Sequence, residues 1–138
     1  MKSQLKFVNF VVPKFLFEKL PIEKENDFFE LKPQAVINRG IKQFHINIDI
    51  EINDSENEFS LKMFAVGIFE FETDKEENLL NFMSINGPAI IFPYIRSFIS
   101  SFTALSGFDT ITLPTLNLLG FKNDILENLI DVNDLKDE

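Results

Sequence analysis

The clearest pattern of hydrophobic and polar positions lies between residues 44 and 53. Apolar residues occupy every second position there, and polar residues occupy the positions between them. Because the side chains of a strand alternate between its two faces, this period predicts a strand with one buried and one solvated face. The apolar set is Phe44, Ile46, Ile48, Ile50 and Ile52.

A returning strand follows a run of turn-forming residues at positions 53–57. Residues 59–72 continue the alternation, which predicts an antiparallel hairpin. In its middle, Phe64, Val66 and Ile68 make the second face apolar as well, which indicates a covered or oligomeric surface. Gly67 among them predicts a bulge or the close approach of another backbone.

Two further strands are predicted earlier in the chain. Residues 4–20 are apolar on both alternating sets, which predicts a strand that is covered on both faces or that changes partners near Pro13. Residues 28–38 predict a weaker strand interrupted by Pro33. Arg39 and Gly40 mark the turn that follows.

A long helix is predicted over residues 86–106. Asn86 suits the N-cap position, and Pro88 suits the first turn because its missing N–H is not needed there. Pro93 lies further inside the pattern, where it removes a hydrogen bond and crowds the preceding turn. We therefore expect a kink or an irregular first turn near Pro93.

This helix carries almost no charge and needs cover on more than one side. Between Glu77 and Asp109 the one charged side chain is Arg96, to which we assign a structural role. One side of the helix is apolar, which predicts that this side packs into the hydrophobic core. The opposite side is small and polar, which predicts contact with a second copy of the chain or, alternatively, a serine-rich solvated face. The predicted interface residues are Ile95, Ser97, Phe98, Ser101, Phe102 and Ala104.

The order of these elements predicts an α+β fold. A four-stranded antiparallel sheet is followed by one long and one short helix, since a second amphipathic pattern covers residues 118–130 and a short helical segment at 73–83 leads into the long helix. At 138 residues the chain predicts one domain, residues 1–138, with an acidic, partly flexible C-terminal tail from about residue 131.

Composition argues against several functions. The formal net charge of −9 argues against nucleic-acid binding, which needs clustered lysines and arginines. The chain has no cysteine and one histidine, which excludes disulfides and a typical zinc site. We find no phosphate-binding loop, catalytic triad or paired metal ligands. The sequence therefore predicts a protein that is not an enzyme and that uses no metal or cofactor.

A cytoplasmic protein without stable membrane insertion is expected. Residues 1–20 mix lysines with apolar residues and lack the continuous apolar run of a secretory signal. Residues 78–95 are uncharged and long enough to cross a bilayer, but they contain two prolines, a glycine and polar residues.

The loop after the long helix is unusually apolar. The chain contains 17 phenylalanines, more than one small core needs. Residues 108–119 are also richer in apolar side chains than a surface connection should be. This loop is either tucked into the core or forms the wall of an apolar groove.

Three segments resemble the SecB export chaperone family. Ala-Ile-Ile-Phe-Pro-Tyr-Ile-Arg at 89–96 is similar to the start of its central helix, and Leu-Pro-Thr-Leu-Asn at 113–117 is similar to the loop before its last helix. Gly-Ile-Phe-Glu-Phe at 67–71 is similar to the end of its fourth strand. The resemblance implies a homo-oligomer built as a dimer of dimers. It also implies ATP-independent holding of unfolded or precursor polypeptides in exposed hydrophobic grooves, with protein export as one role.

The resemblance favours a groove at the apolar loop and names two kinds of protein partner. The implied groove residues are Phe69, Phe71, Phe92, Phe108, Ile111, Leu113, Leu116, Leu118 and Phe121. The family delivers clients to the SecA motor partly through acidic residues on the outer sheet face. Glu18 keeps one such acid, but Lys14 and Lys62 reverse two others, so docking to SecA is an open question. The alternatives are a chaperone dedicated to an antitoxin of a toxin–antitoxin system and a binding module for a small apolar ligand.

Overall fold

The fold is a β-sheet with one long helix laid across it. The computed structural model describes residues 4–114, 116 and 118–135. The strands are β1 (Leu5–Lys19), β2 (Phe28–Asn38), β3 (Gln43–Asp54), β4 (Phe59–Phe71) and β5 (Ile130–Asp131). The helices are α1 (Glu76–Asn81), α2 (Gly87–Leu105), α3 (Phe121–Glu127) and α4 (Val132–Leu135), with 3-10 turns at Lys24–Asn26 and Leu118–Gly120. The predicted α+β class is confirmed.

The sheet has five strands instead of the four predicted. Their order is β1-β4-β3-β2-β5, with antiparallel pairing from β1 to β2 and a parallel pairing between β2 and β5. The hairpin predicted from the alternation is formed by β3 and β4. Ile46 and Ile48 are fully buried on its helix side, whereas Asp49 and Glu51 are exposed on the other side. The fifth strand has only two residues, too few to produce a period in the sequence.

β1 is one continuous strand that pairs with β4 along its length. Register shifts just before Asn9 and just before Lys14 bulge the strand. The prediction that the strand changes partners near Pro13 is therefore wrong, because a bulge accommodates the missing donor within a single pairing. β2 likewise runs without interruption through Pro33, which pairs with Ile48.

The central helix begins well before the predicted start. It runs over Glu76–Leu105, through α1, a π-helical turn at Phe82–Asn86 and α2, so the two helices predicted on either side of residue 86 are one. Asn86 has helical dihedral angles (φ −73°, ψ −43°) and makes no capping bond, so the predicted N-cap is wrong. Pro88 cannot donate to the Ser84 carbonyl, and we attribute the widened turn before it to this missing bond.

Two glycines bring the central helix close to the sheet. A Cβ on Gly67 of β4 would lie 2.3 Å from Cγ2 of Ile91, and a Cβ on Gly87 would lie 3.0 Å from Cγ1 of Ile46. The close approach at Gly67 is made by the Ile91 side chain and not by another backbone, so the prediction is correct in the need for glycine and wrong in the kind of neighbour. This helix is long and apolar enough to cross a membrane by length and composition, a test that core helices of soluble proteins also pass. Its sheet-facing side, including Ile95, is fully buried in the subunit.

The C-terminal segment folds back on the sheet. The helix predicted over residues 118–130 is shorter, because α3 ends at Glu127. Residues 130–135 then form β5 and α4, so the tail predicted as partly flexible from about residue 131 begins with folded structure. Residues 136–138 lie outside the described residues.

Candidate functional site

Aromatic rings lie in a row along the junction between β1 and α2, in two contact groups, one around Tyr94 and one around Phe15. Ring centroids lie 5.1 Å apart for Phe7 and Tyr94, 5.5 Å for Phe10 and Tyr94, 5.0 Å for Phe15 and Phe98, 4.5 Å for Phe15 and Phe102, and 6.0 Å for Phe17 and Phe108. These separations are typical of favourable tilted and edge-to-face pairs. We call this row the aromatic seam, comprising Phe7, Phe10, Phe15, Phe17, Tyr94, Phe98, Phe102 and Phe108.

The seam forms because two periodicities meet. Tyr94, Phe98 and Phe102 recur every four residues, which places them along one side of α2. The phenylalanines of β1 lie on the sheet face that carries the helix, since Phe15 pairs with Met63 and that partner is buried beneath the helix. The ends of the seam on β1, Phe7 and Phe17, pair with Phe69 and Leu61 of β4, which are eight positions apart and therefore separated by about 27 Å.

The seam is partly exposed to solvent. Tyr94 keeps 47% of its surface exposed, Phe102 keeps 39% and Phe108 keeps 45%. Among the described residues, the outer edge of β1 pairs with no other strand. The site therefore offers aromatic side chains and unpaired backbone groups together, the two requirements for binding an extended chain.

A cavity of about 400 Å³ lies at the end of the seam, between Phe17, Phe108 and the tip of the β3–β4 hairpin. Four acidic residues and Lys19 are among its lining residues; the acids are Asp54, Glu56, Glu58 and Asp109. Burial tends to raise the pKa of Asp54, but hydrogen bonds from Asn57 and Glu56 and the charge of Lys19 hold that pKa below its usual range. The wall of this cavity is thus apolar where it meets the seam and negatively charged at the hairpin tip.

Two hydroxyl groups of α2 fix the loop that closes the seam. The backbone N–H of Ile111 donates to Oγ1 of Thr103 at 3.0 Å, and Oγ of Ser100 donates to the Ile111 carbonyl at 2.9 Å. Thr103 is completely buried and also donates to the Ile99 carbonyl at 2.9 Å. Both polar groups of the Ile111 peptide are satisfied by the helix, which holds Phe108 beside Phe17.

The structure divides the predicted groove residues into three groups. Phe69, Phe71 and Phe92 are at most 5% exposed and belong to the hydrophobic core, so their assignment to an open groove is wrong. Phe108, Ile111 and the largely buried Leu113 line the end cavity. Leu116, Leu118 and Phe121 are half-buried against the core. The apolar loop thus belongs partly to the hydrophobic core and partly to the wall of the end cavity.

The predicted interface residues differ in their burial and position. Ile95 is completely buried within the subunit and cannot contact a second copy. Phe98 and Phe102 belong to the aromatic seam. The small residues Ser97, Ser101 and Ala104 are exposed on α2.

The charged residues singled out in the sequence lie away from the seam rings. Glu18, Lys14 and Lys62 are exposed, and their register places them on the sheet face opposite the helix. Arg96 has a buried Nε with no hydrogen-bond partner among the described residues. Within those residues, no group of three or more His, Asp or Glu side chains is placed to hold a metal ion.

Comparison with solved structures shows a SecB-like fold. A SecB-like chaperone of Mycobacterium tuberculosis, solved in complex with a ChAD peptide from the HigA1 antitoxin, superposes with a TM-score of 0.63 at 16% identity, covering 83% of this chain and 88% of that one. A protein of unknown function from Streptococcus agalactiae superposes with a TM-score of 0.56 at 12% identity, covering 83% and 100%.

The sequence comparison then gives the family. The family model described as preprotein translocase subunit SecB matches residues 29–123, and the chain belongs to this family. An uncharacterized protein of Methanocaldococcus jannaschii is 27% identical over 91% of this chain and 87% of its own length. The protein-export protein SecB of Roseobacter denitrificans is 26% identical over 70% of this chain and 59% of its own length, and that of Dinoroseobacter shibae is 30% identical over 56% and 48%. The chain thus spans about half of the SecB proteins it matches.

Proposed function

We propose that this protein is an ATP-independent holdase chaperone that binds extended apolar segments of unfolded or precursor polypeptides along the aromatic seam. The observation that carries the proposal is the seam itself, because its exposed rings lie beside an unpaired strand edge. Membership of the SecB family supports the same activity. We also propose that the protein is cytoplasmic, has no enzymatic activity and needs no cofactor.

The seam suits many client sequences. Aromatic faces accept any apolar side chain, and backbone pairing at the β1 edge is independent of sequence. Burial of one phenylalanine stabilises a complex by roughly 1.5 to 3 kcal/mol, so several weak contacts along about 27 Å sum to firm binding. The acids at the end cavity favour clients with basic residues near an apolar segment.

We further propose assembly as a dimer of dimers. The exposed side of α2 carries Ser97, Ser101 and Ala104, and it ends in Leu105, which is 88% exposed. A helix side without charge that remains open to water in the single chain is suited to contact with another copy. Light scattering at micromolar concentration should give a multiple of the chain mass. Ser101→Glu should break the assembly before it unfolds the subunit, and a stable monomeric parent would contradict the proposal.

A dedicated antitoxin client is the second candidate. The fold match to a chaperone bound to an antitoxin peptide favours it. Charge reversal at Lys14 and Lys62 beside Glu18 would also weaken docking of SecA, which the export role requires. Protection of unrelated aggregating clients would support the general holdase, whereas protection restricted to one antitoxin would support the dedicated role.

The test of the seam combines two exposed rings with a matched control. Phe102→Ser with Phe108→Ser removes two rings that are 39% and 45% exposed, so the fold should lose little while client binding falls at least tenfold. Ile41→Ser is the control, since Ile41 is 59% exposed and lies at the opposite end of the sheet beside Leu5. The measurement is suppression of client aggregation, with oligomer mass and thermal midpoint as checks. Equal protection by the double variant and the parent would overturn the assignment.

A further inference from the structure

The short strand β5 occupies the sheet edge opposite β1. Ile130–Asp131 pairs in parallel with Val36–Ile37 of β2. Oδ2 of Asp131 accepts a hydrogen bond from Nε of Arg39 at 2.9 Å, and Oδ1 of Asn133 accepts one from the backbone N–H of Arg39, also at 2.9 Å. We call residues 130–135 the C-terminal strap. Its side-chain contacts come from an acid and from an amide two residues later.

Arg39 is held in place by a residue outside the strap. Its two terminal nitrogens donate to the Glu76 carboxylate at 2.8 and 2.6 Å, a two-point contact with the first turn of the central helix. The hydrogen bonds to Glu76 and to Asp131 both raise the pKa of Arg39. Because Glu76 alone fixes the plane of the guanidinium, Nε stays directed at the β2 edge when the strap is absent.

The strap covers only a small part of this edge. β2 contains 11 residues, and β5 pairs with two of them. Within the described part of the chain, no strand pairs with the outer edge at residues 28–34. A cavity of about 360 Å³ lies beside this stretch, lined by Leu31, Pro33 and Gln34 on the strand and by Asp124. A longer extended segment would therefore make more backbone hydrogen bonds here than the strap does.

We propose that the β2 edge and Arg39 form a strand-addition site for an extended peptide that carries an acid and, two residues later, an amide, and that the C-terminal strap occupies this site until such a peptide displaces it. The strap is short and pairs with β2 through only two residues, so its local opening costs much less than global unfolding. The observed affinity for a peptide then depends on the fraction of molecules with the strap open. This site is separate from the aromatic seam and does not rest on the holdase proposal.

The experiment uses the full-length protein and a fluorescein-labelled peptide with the sequence of residues 128–135, followed by fluorescence anisotropy. Asp131→Ala weakens the strap but leaves Arg39 free for the aspartate of the peptide. Loss of one solvent-accessible ion pair should raise the open fraction, and hence the affinity, by about fivefold. Adding Arg39→Gln to Asp131→Ala should cancel this gain. A peptide with alanine in place of its first aspartate should bind Asp131→Ala more weakly than the parent peptide does.

Further variants keep the outcome decisive. Asn133→Ala also weakens the strap without touching the Arg39 side chain, so it should tighten peptide binding even if Arg39→Gln fails to fold. Amide hydrogen exchange at residues 130–132 should be faster in Asp131→Ala than in the parent. Equal peptide affinity for the parent and both strap variants would overturn the proposal. Loss of peptide binding in Phe108→Ser would also overturn it, because the peptide would then occupy the seam.

Discussion

Replacing Gly67 by alanine should destabilise the fold by overpacking β4 against the central helix. The added Cβ would lie 2.3 Å from Cγ2 of Ile91 and 3.1 Å from Cε2 of Phe69, and Cβ atoms essentially never approach other heavy atoms below 3.0 Å. Either the Ile91 side chain or the helix that carries it must therefore shift. The backbone at Gly67 does not oppose the change, because among the described glycines only Gly107 has a positive φ.

The expected magnitude follows from two opposing effects. Overpacking a dense core costs about 1 to 3 kcal/mol. Alanine recovers roughly 0.5 to 1 kcal/mol, because glycine loses more conformational freedom in a strand. The free energy of unfolding should fall by about 1 to 2 kcal/mol, which lowers the thermal midpoint by roughly 3 to 10 °C for a chain of this size.

Urea unfolding followed by circular dichroism at one fixed protein concentration measures this change. Ile91→Leu removes the Cγ2 atom at nearly constant volume and should cost less than about 1.5 kcal/mol alone. The double variant Gly67→Ala with Ile91→Leu should be more stable than the sum of the single effects by about 1 kcal/mol. Gly120→Ala is the control, since no atom lies within 4 Å of the added Cβ. Additive single effects, or an unaltered Gly67→Ala protein, would refute the contact.

Three more predictions concern buried polar groups and one ion pair. Thr103→Val leaves the Ile111 N–H without its acceptor and should lower the unfolding free energy by about 1 to 3 kcal/mol, whereas Thr103→Ser should cost less. Arg96→Met should leave stability unchanged or raise it, because Nε is buried without a partner in the described residues; lost client binding with intact assembly would instead indicate a functional arginine. Hydrogen bonds from Arg39 lower the pKa of Glu76. Their small stabilisation is complete above pH 4.5 and is lost as the pH falls through the lowered pKa, so thermal melts from pH 7 to 3 should be less pH-dependent in Glu76→Gln.

The sequence predicted correctly those elements whose hydrophobic pattern matches their burial on each face. β3 alternates without error because one face meets the helix and the other meets water. The predicted start of the central helix was wrong because it rested on local residue preferences and not on packing. Asn86 and Pro88 resemble a helix start locally, but the helix continues through them because packing against Ile46 overrides the local preference.

The candidate site was harder to predict because it depends on strand order. Phe15 and Phe98 are far apart in the chain, and their contact requires β1 to lie at the sheet edge next to β4. β1 is apolar on both faces, so its period alone did not identify which phenylalanines face the helix. The spacing of Tyr94, Phe98 and Phe102 was visible in the sequence, and combined with an edge position for β1 it would have identified the seam.

Assembly and client binding are proposed on different sides of α2, and this leads to a last prediction. Ser97, Ser101 and Ala104 are exposed on α2, whereas Tyr94, Phe98 and Phe102 contact the rings of β1. If a second copy packs on the small residues, the β1 edge and the seam of each copy remain open, and the two seams are linked within one assembly. Linked sites bind a long client more tightly than separate ones. Client affinity per subunit should therefore fall when dilution dissociates the assembly, as measured by light scattering and client protection on the same samples. Unchanged affinity in the dissociated protein would show that each seam acts alone.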